Sequence, residues 1–141
     1  MPFPALAGTL ESALYAGDLA AAEAFYGGLL GLPVIARQPG RHVFFRVGDS
    51  VLLVFDPAAT AAPPPAGARL PVPAHGARGP GHYCFRAVPG TLDAVRAGLE
   101  ANGIGIEADF FWPTGARSLY VRDPAGNSVE FAEAALWFGA G

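Results

Sequence analysis

Short runs of apolar residues, each closed by Gly, Pro, Asp or Asn, alternate along the chain with two longer stretches of helical periodicity. The order they predict is strand, helix, three strands, and then the same order again. Residues 10–15 form the first strand, which Gly17-Asp18 breaks. Asp18 is placed to cap a helix, because its carboxylate can accept from the unpaired amides of a first turn. Leu19, Ala22, Phe25, Tyr26, Leu29 and Leu30 then recur at helical spacing, and Gly31 stops the helix where a left-handed residue costs least. Residues 32–36 open the next strand, and 42–46 and 51–56 make a hairpin around Gly48-Asp49. In the second half, strand 82–88 leads to a helix with Leu92, Val95 and Leu99 on one face, Thr91 as its cap and Asn102-Gly103 at its end. Strands 104–108, 118–122 and 128–132 complete the pattern, the last two joined by the turn Asp123-Pro124-Ala125-Gly126-Asn127.

This self-similarity organises the chain as one domain of 141 residues: unit one at about 8–57, unit two at about 80–133, and a Pro- and Gly-rich linker at about 58–79. It also gives three scattered residues a common meaning. Glu11 and His82 hold the same place in the first strand of each unit, and Glu130 lies in the last strand of the second. All three are of metal-ligand type.

Composition narrows the function. No apolar run approaches the roughly 18 residues of a membrane span, and the N-terminus lacks a basic n-region, so a cytoplasmic protein without membrane partners is expected. The net charge is −3 and no basic run stands out, which argues against nucleic acid as a partner. The single Cys84 excludes an intrachain disulfide and a cysteine cluster, and its apolar strand predicts a buried packing thiol.

The segments Leu14-Tyr15-Ala16-Gly17-Asp18-Leu19, Phe25-Tyr26 and Leu30-Gly31-Leu32, then Gly81-His82, Arg122-Asp123-Pro124-Ala125-Gly126-Asn127 and Glu130, together resemble the vicinal oxygen chelate superfamily. That group includes glyoxalase I, extradiol dioxygenases, epimerases and the fosfomycin and bleomycin resistance proteins. The resemblance spans nearly the whole chain. It implies an α+β fold of two βαβββ units whose curved mixed sheets enclose a cavity, with a metal on its floor. It also implies that Glu11, His82 and Glu130 are the metal ligands. Glu11 precedes Asp18 by seven residues and Glu130 follows Asp123 by seven, as the family's motifs do.

Two departures shape the expected chemistry. The place of a fourth ligand, in the last strand of unit one, falls to Leu52 or Leu53, which disfavours the four-ligand form of the glyoxalase I reaction. One histidine with two carboxylates is also a harder set than the two histidines and one carboxylate of the extradiol enzymes. It suits oxygen-seeking divalent ions such as Mg²⁺ or Mn²⁺, with Fe, Ni or Zn still open. Tyr120, ten residues before Glu130, resembles the active-site tyrosine of the ring-cleaving branch. Burying two carboxylates without a cation would be costly, although water in an open cavity would relieve much of the cost.

Two function classes follow. One is a metal-dependent lyase, isomerase or dioxygenase acting on a small oxygen-rich substrate. In it the ion stabilises oxyanion-like charge, Glu130 or Glu11 serves as base, and Tyr120 as proton donor. The other is a metal-free, ligand-sequestering protein of the bleomycin-resistance type, with no cofactor. His75 in the linker, Trp112 and Arg117 are candidate substrate contacts; the plainer roles are an exposed histidine, core packing shared with Phe110 and Phe111, and a surface arginine. His42 is expected to be structural, at the start of an edge strand. Exposed sheet edges and the apolar Leu136-Trp137-Phe138 predict a two-fold homodimer.

Overall fold

The computed structural model describes residues 2–139, and the chain divides into two compact units between Ala77 and Arg78. In the first, β1 (Glu11–Tyr15), β2 (Val34–Gln38), β3 (His42–Val47) and β4 (Ser50–Phe55) form a mixed sheet in the order β1-β4-β3-β2. In the second, β5 (His82–Arg86), β6 (Ala108–Phe111), β7 (Arg117–Arg122) and β8 (Ser128–Ala132) repeat that order as β5-β8-β7-β6. In each unit the first strand runs parallel to the last and the other pairs are antiparallel. Neither sheet closes into a barrel, and the βαβββ repeat expected from the sequence is present twice.

One helix covers one face of each sheet. In the first unit α1 (Leu19–Glu23) starts at Asp18, whose Oδ1 accepts from the Ala21 amide at 3.0 Å. It then widens into a π-helical stretch, Ala24–Leu29, closed by Leu30 N–H donating to the Phe25 carbonyl. The widening brings Gly27 against the Phe45 ring, where even a Cβ would sit 3.3 Å from it. Leu14, Tyr26, Val43, Phe45, Leu52 and Val54 are buried on this side; each large aliphatic residue so placed contributes about 1.5–3 kcal/mol.

In the second unit α3 (Leu92–Ala101) buries Leu92 and Leu99, and Phe85, Leu119, Val121, Val129 and Phe131 are buried in the sheet. Arg96 of α3 reaches Asp109 of β6 at 2.6 Å, which fixes the helix over the face that Asp109 shares with Leu119. Two short helices lie outside the repeat, α2 (Pro57–Thr60), capped by Asp56, and the exposed α4 (Ala135–Phe138). Among the described residues no helix is long and apolar enough to cross a membrane.

Several local expectations need correction. The predicted strand at 104–108 lies instead at Ala108–Phe111, because Arg117 and Ser118 of the neighbouring β7 pair with Phe111 and Phe110. Thr91 is the N-cap residue of α3 as expected, but its side chain accepts no bond from the first turn; its hydroxyl donates to the Val88 carbonyl. His42 opens an interior strand of its sheet, not an edge. Cys84 is exposed, since its strand neighbours Tyr83 and Phe85 take the side facing the core.

Candidate functional site

Alternation along β5, β7 and β8 puts His82, Cys84, Ser118, Tyr120 and Glu130 together on the face of the second sheet turned away from α3. Glu130 pairs across the strands with Cys84 on one side and Tyr120 on the other. The turn between β7 and β8, in which Asp123 and Asn127 are buried, sets this register. Asp123 Oδ1 accepts from the amides of Ala125 (2.9 Å) and Asn127 (2.8 Å). Asn127 Oδ1 in turn accepts from Gly81 N–H at 2.7 Å, one residue before His82. The turn therefore presents Glu130 and fixes the approach of His82 at once.

His82 Nδ1 lies 3.1 Å from the Ser128 carbonyl and Nε2 lies 3.2 Å from Glu130 Oε1. A carbonyl only accepts, so in this contact Nδ1 carries a proton. Nε2 then meets a carboxylate oxygen, and if the ring is neutral two lone pairs face each other. A cation belongs between them, either a proton that makes the pair an ion pair or a metal ion ligated by both. Two donors at right angles on an ion with bonds of about 2.1 Å would be about 3 Å apart, so the observed separation fits shared coordination. The anchoring of Nδ1 on a backbone carbonyl is the usual support of a metal-binding histidine.

Glu130 is nearly buried, with its side chain 7% exposed, while that of His82 is 53% exposed. The second carboxylate oxygen, Oε2, accepts from Ser118 Oγ at 2.6 Å, and Ser118 Oγ accepts from Trp112 Nε1 at 2.7 Å. Tyr120 stacks on His82 (ring centroids 6.1 Å) and on Phe110 (5.8 Å). Desolvation and then the Glu130 charge raise the Tyr120 phenol above its ordinary pKa, so it is a proton donor at neutral pH. The same two causes push the Cys84 thiol up to about 12, which makes it a poor nucleophile although it is exposed.

Glu11 lies exposed at the first position of β1, on the helix-free face of the first sheet, opposite Val51. On that same face the residue corresponding to Glu130 is Leu53; Leu52 is fully buried on the other. Among the described residues no group of three or more His, Cys, Asp and Glu is gathered for a metal. Arg117 faces away from His82 and Glu130, towards α3, where Asp109 (2.7 Å) and Asp93 (2.6 Å) occupy its guanidinium. Contrary to expectation, Arg117 therefore offers no anion contact on the face of His82 and Glu130. His75 is no free surface histidine: Nδ1 meets the Tyr15 hydroxyl at 2.7 Å and the ring packs on Phe55. Phe110 and Trp112 share the face of Tyr120, whereas Phe111 points away and lies beneath Arg117. Ser118 escaped the sequence reading, yet it stands two residues before Tyr120 on one strand, and period two alone would have put it beside Glu130.

The family described as Glyoxalase/Bleomycin resistance protein/Dioxygenase superfamily matches residues 9–131. A structure titled lactoylglutathione lyase from Agrobacterium tumefaciens is 46% identical, with a TM-score of 0.88 over 94% of this chain and 98% of that one. A glyoxalase/bleomycin resistance protein/dioxygenase from Nocardioides (23% identity, TM-score 0.71, covering 99% and 89%) and a glyoxalase/dioxygenase from Nostoc punctiforme (23%, 0.64, covering 89% and 90%) share the fold. No curated protein matches the chain. The repeated βαβββ units and the match over residues 9–131 place the chain in the Glyoxalase/Bleomycin resistance protein/Dioxygenase superfamily.

Proposed function

We propose that the protein is a metal-dependent enzyme of the lyase or isomerase type, acting on a small oxygen-rich substrate at the face that carries His82 and Glu130. The observation that carries this reading is the pair itself: an imidazole nitrogen and a carboxylate oxygen 3.2 Å apart, each with its other polar atom already engaged. Glu11, matched to His82 by the repeat, is proposed as the third protein ligand. A divalent ion held there would supply Lewis acidity towards negative charge developing on substrate oxygen. Tyr120, held neutral, donates a proton or hydrogen bond to the substrate. Glu130 and Glu11 are the candidate bases. The stacked Phe110 and Tyr120 rings line the same face.

The 46% identical structure named a lactoylglutathione lyase supports this class over ring cleavage, as does a donor set with one histidine. Leu53 removes a fourth protein ligand from the first unit, so any lyase reaction runs with one protein donor fewer than a four-ligand centre. Protein purified without added metal should contain a divalent ion in stoichiometric amount by plasma mass spectrometry. His82→Ala and Glu11→Ala should each lose it, and metal-loaded wild type should turn over lactoylglutathione or a related thioester. No metal under any loading would instead favour a metal-free ligand-holding protein. We also propose that the protein works as a two-fold homodimer.

A further inference from the structure

We infer that Ser118 is a positioning residue for Glu130, and that Trp112 sets the direction in which Ser118 donates. The inference rests on the metal-site reading above and adds residues that neither the repeat nor the triad contains. Its basis is the hydrogen-bond line from Trp112 through Ser118 to Glu130. An indole N–H can only donate, so Trp112 Nε1 gives its hydrogen to Ser118 Oγ at 2.7 Å. The hydroxyl has one hydrogen of its own, and at 2.6 Å it goes to Glu130 Oε2. Ser118 is fully buried and Glu130 only 5% exposed, so water has little access to replace either bond.

Oε2 is thereby withheld, and Oε1 alone is presented to His82. Without Ser118 the carboxylate could rotate about its last torsion and offer both oxygens or neither. A second connection runs alongside: Trp112 packs edge-on against Phe110 (4.8 Å), Phe110 stacks on Tyr120, and Tyr120 stacks on His82. Trp112 thus meets both donors, one through hydrogen bonds and one through rings. It is held at the mouth of the β6–β7 hairpin by its own backbone, which donates to the Ala116 carbonyl at 2.7 Å.

The test uses the intact protein, labelled with ¹⁵N and titrated with zinc chloride, with the two indole cross-peaks as reporters. Trp137 is 81% exposed and serves as the internal control. Zinc should move the Trp112 indole peak and leave the Trp137 peak in place. Ser118→Ala should abolish that movement and weaken zinc binding by about 10–100-fold, the range for losing a partner of a metal ligand. Ser118→Thr keeps the hydroxyl and should restore both. Trp112→Phe, which keeps an aromatic ring and removes the indole N–H, should weaken binding several-fold and covers the case in which Ser118→Ala fails to fold. Zinc binding by wild type with an unmoved Trp112 peak, or undiminished binding by Ser118→Ala, overturns the positioning role and leaves the metal site standing. No zinc binding by wild type overturns the site, and this inference with it.

Discussion

The two sheets share one topology and, apart from a bulge between Val34 and Ala36 of β2, one register, yet the centres of their helix-free faces are chemically unlike. Matched through their parallel strand pairs, Glu11 corresponds to His82, Val51 to Ser128 and Leu53 to Glu130. Through the antiparallel pairs, Phe44 corresponds to Tyr120 and His42 to Ser118. The first unit's face keeps Glu11, Tyr15 and His42, but its centre is aromatic and aliphatic, with Leu53 where the second unit has Glu130, beside Phe44 and Phe55, and His75 laid over Phe55 from the segment after α2. The second unit's face holds an acid, an imidazole, a hydroxyl and a phenol. The helix-side faces, by contrast, are alike: Leu14, Leu52 and Val54 in one, Phe85, Val129 and Phe131 in the other. The pleat lets one side of each strand keep the core while the other side changes its chemistry.

The comparison breaks most visibly if the second unit is given the first unit's residue. Glu130→Leu should abolish metal binding, a loss of more than about 100-fold, because even outer partners of ligands cost about 10–100-fold. Metal content and calorimetric titration measure it, with circular dichroism confirming the fold. Retention of metal by this variant would remove Glu130 from the centre. Next in size is a test of the pleat in the first unit. Leu52→Ala should cost about 2–5 kcal/mol in urea unfolding, whereas Leu53→Ala, half-buried on the helix-free face, should cost under about 1 kcal/mol. Equal costs would mean that the two leucines do not face opposite ways.

These faces explain how much could be read from the chain. The repeat, the capping Asp18 and the turn around Gly126 are local patterns, and each is where the sequence puts it. Pairing His82 with Glu130 needed only the register of β5 on β8. Choosing Leu53 over Leu52 needed a strand phase that an apolar run such as 51–55 does not display. The π-helical stretch at Ala24–Leu29 is set by how Tyr26 and Gly27 pack on Phe45, a tertiary cause with no periodic trace. The placements of Arg117 and Cys84 are hidden from the sequence for a related reason. Each sits one position off in the alternation, and residue type alone does not tell which side of a strand is the core.

A smaller effect separates the units by their ion pairs. Hydrogen bonds from Arg117 and Arg96 hold the Asp109 carboxyl down at about 2, against an ordinary value of 3.8. Its folded-state pKa is depressed, so the stability it adds is present above about pH 4 and is lost as pH falls towards 2. Asp109→Asn should lower unfolding free energy by about 1 kcal/mol at pH 6, less than the full shift implies because solvent screens the pair. By pH 2 the variant and wild type should converge. In the first unit the Arg37–Glu23 pair is exposed on both sides, and Arg37→Ala should leave the urea midpoint unchanged.

The smallest effect on the fold is expected at the second unit's apolar tail, where the proposed dimer gives the measurement its meaning. Trp137, Phe138 and Phe111 are 81%, 76% and 70% exposed, and Phe111, Leu136 and Trp137 border one surface hollow. Exposed aromatics grouped in this way are favoured in interface cores. Sedimentation at micromolar concentration should return about twice 14.5 kDa. Trp137→Ala removes a side chain that packs little within its own unit, so its thermal midpoint in dilute solution should match wild type while the sedimenting mass falls towards that of one chain. The counterpart in the first unit is Ile35→Ala, at a residue 51% exposed on the edge strand β2, and it should leave the mass unchanged. A wild-type mass of one chain would remove the dimer. Dissociation by Ile35→Ala in place of Trp137→Ala would move the contact to the first unit.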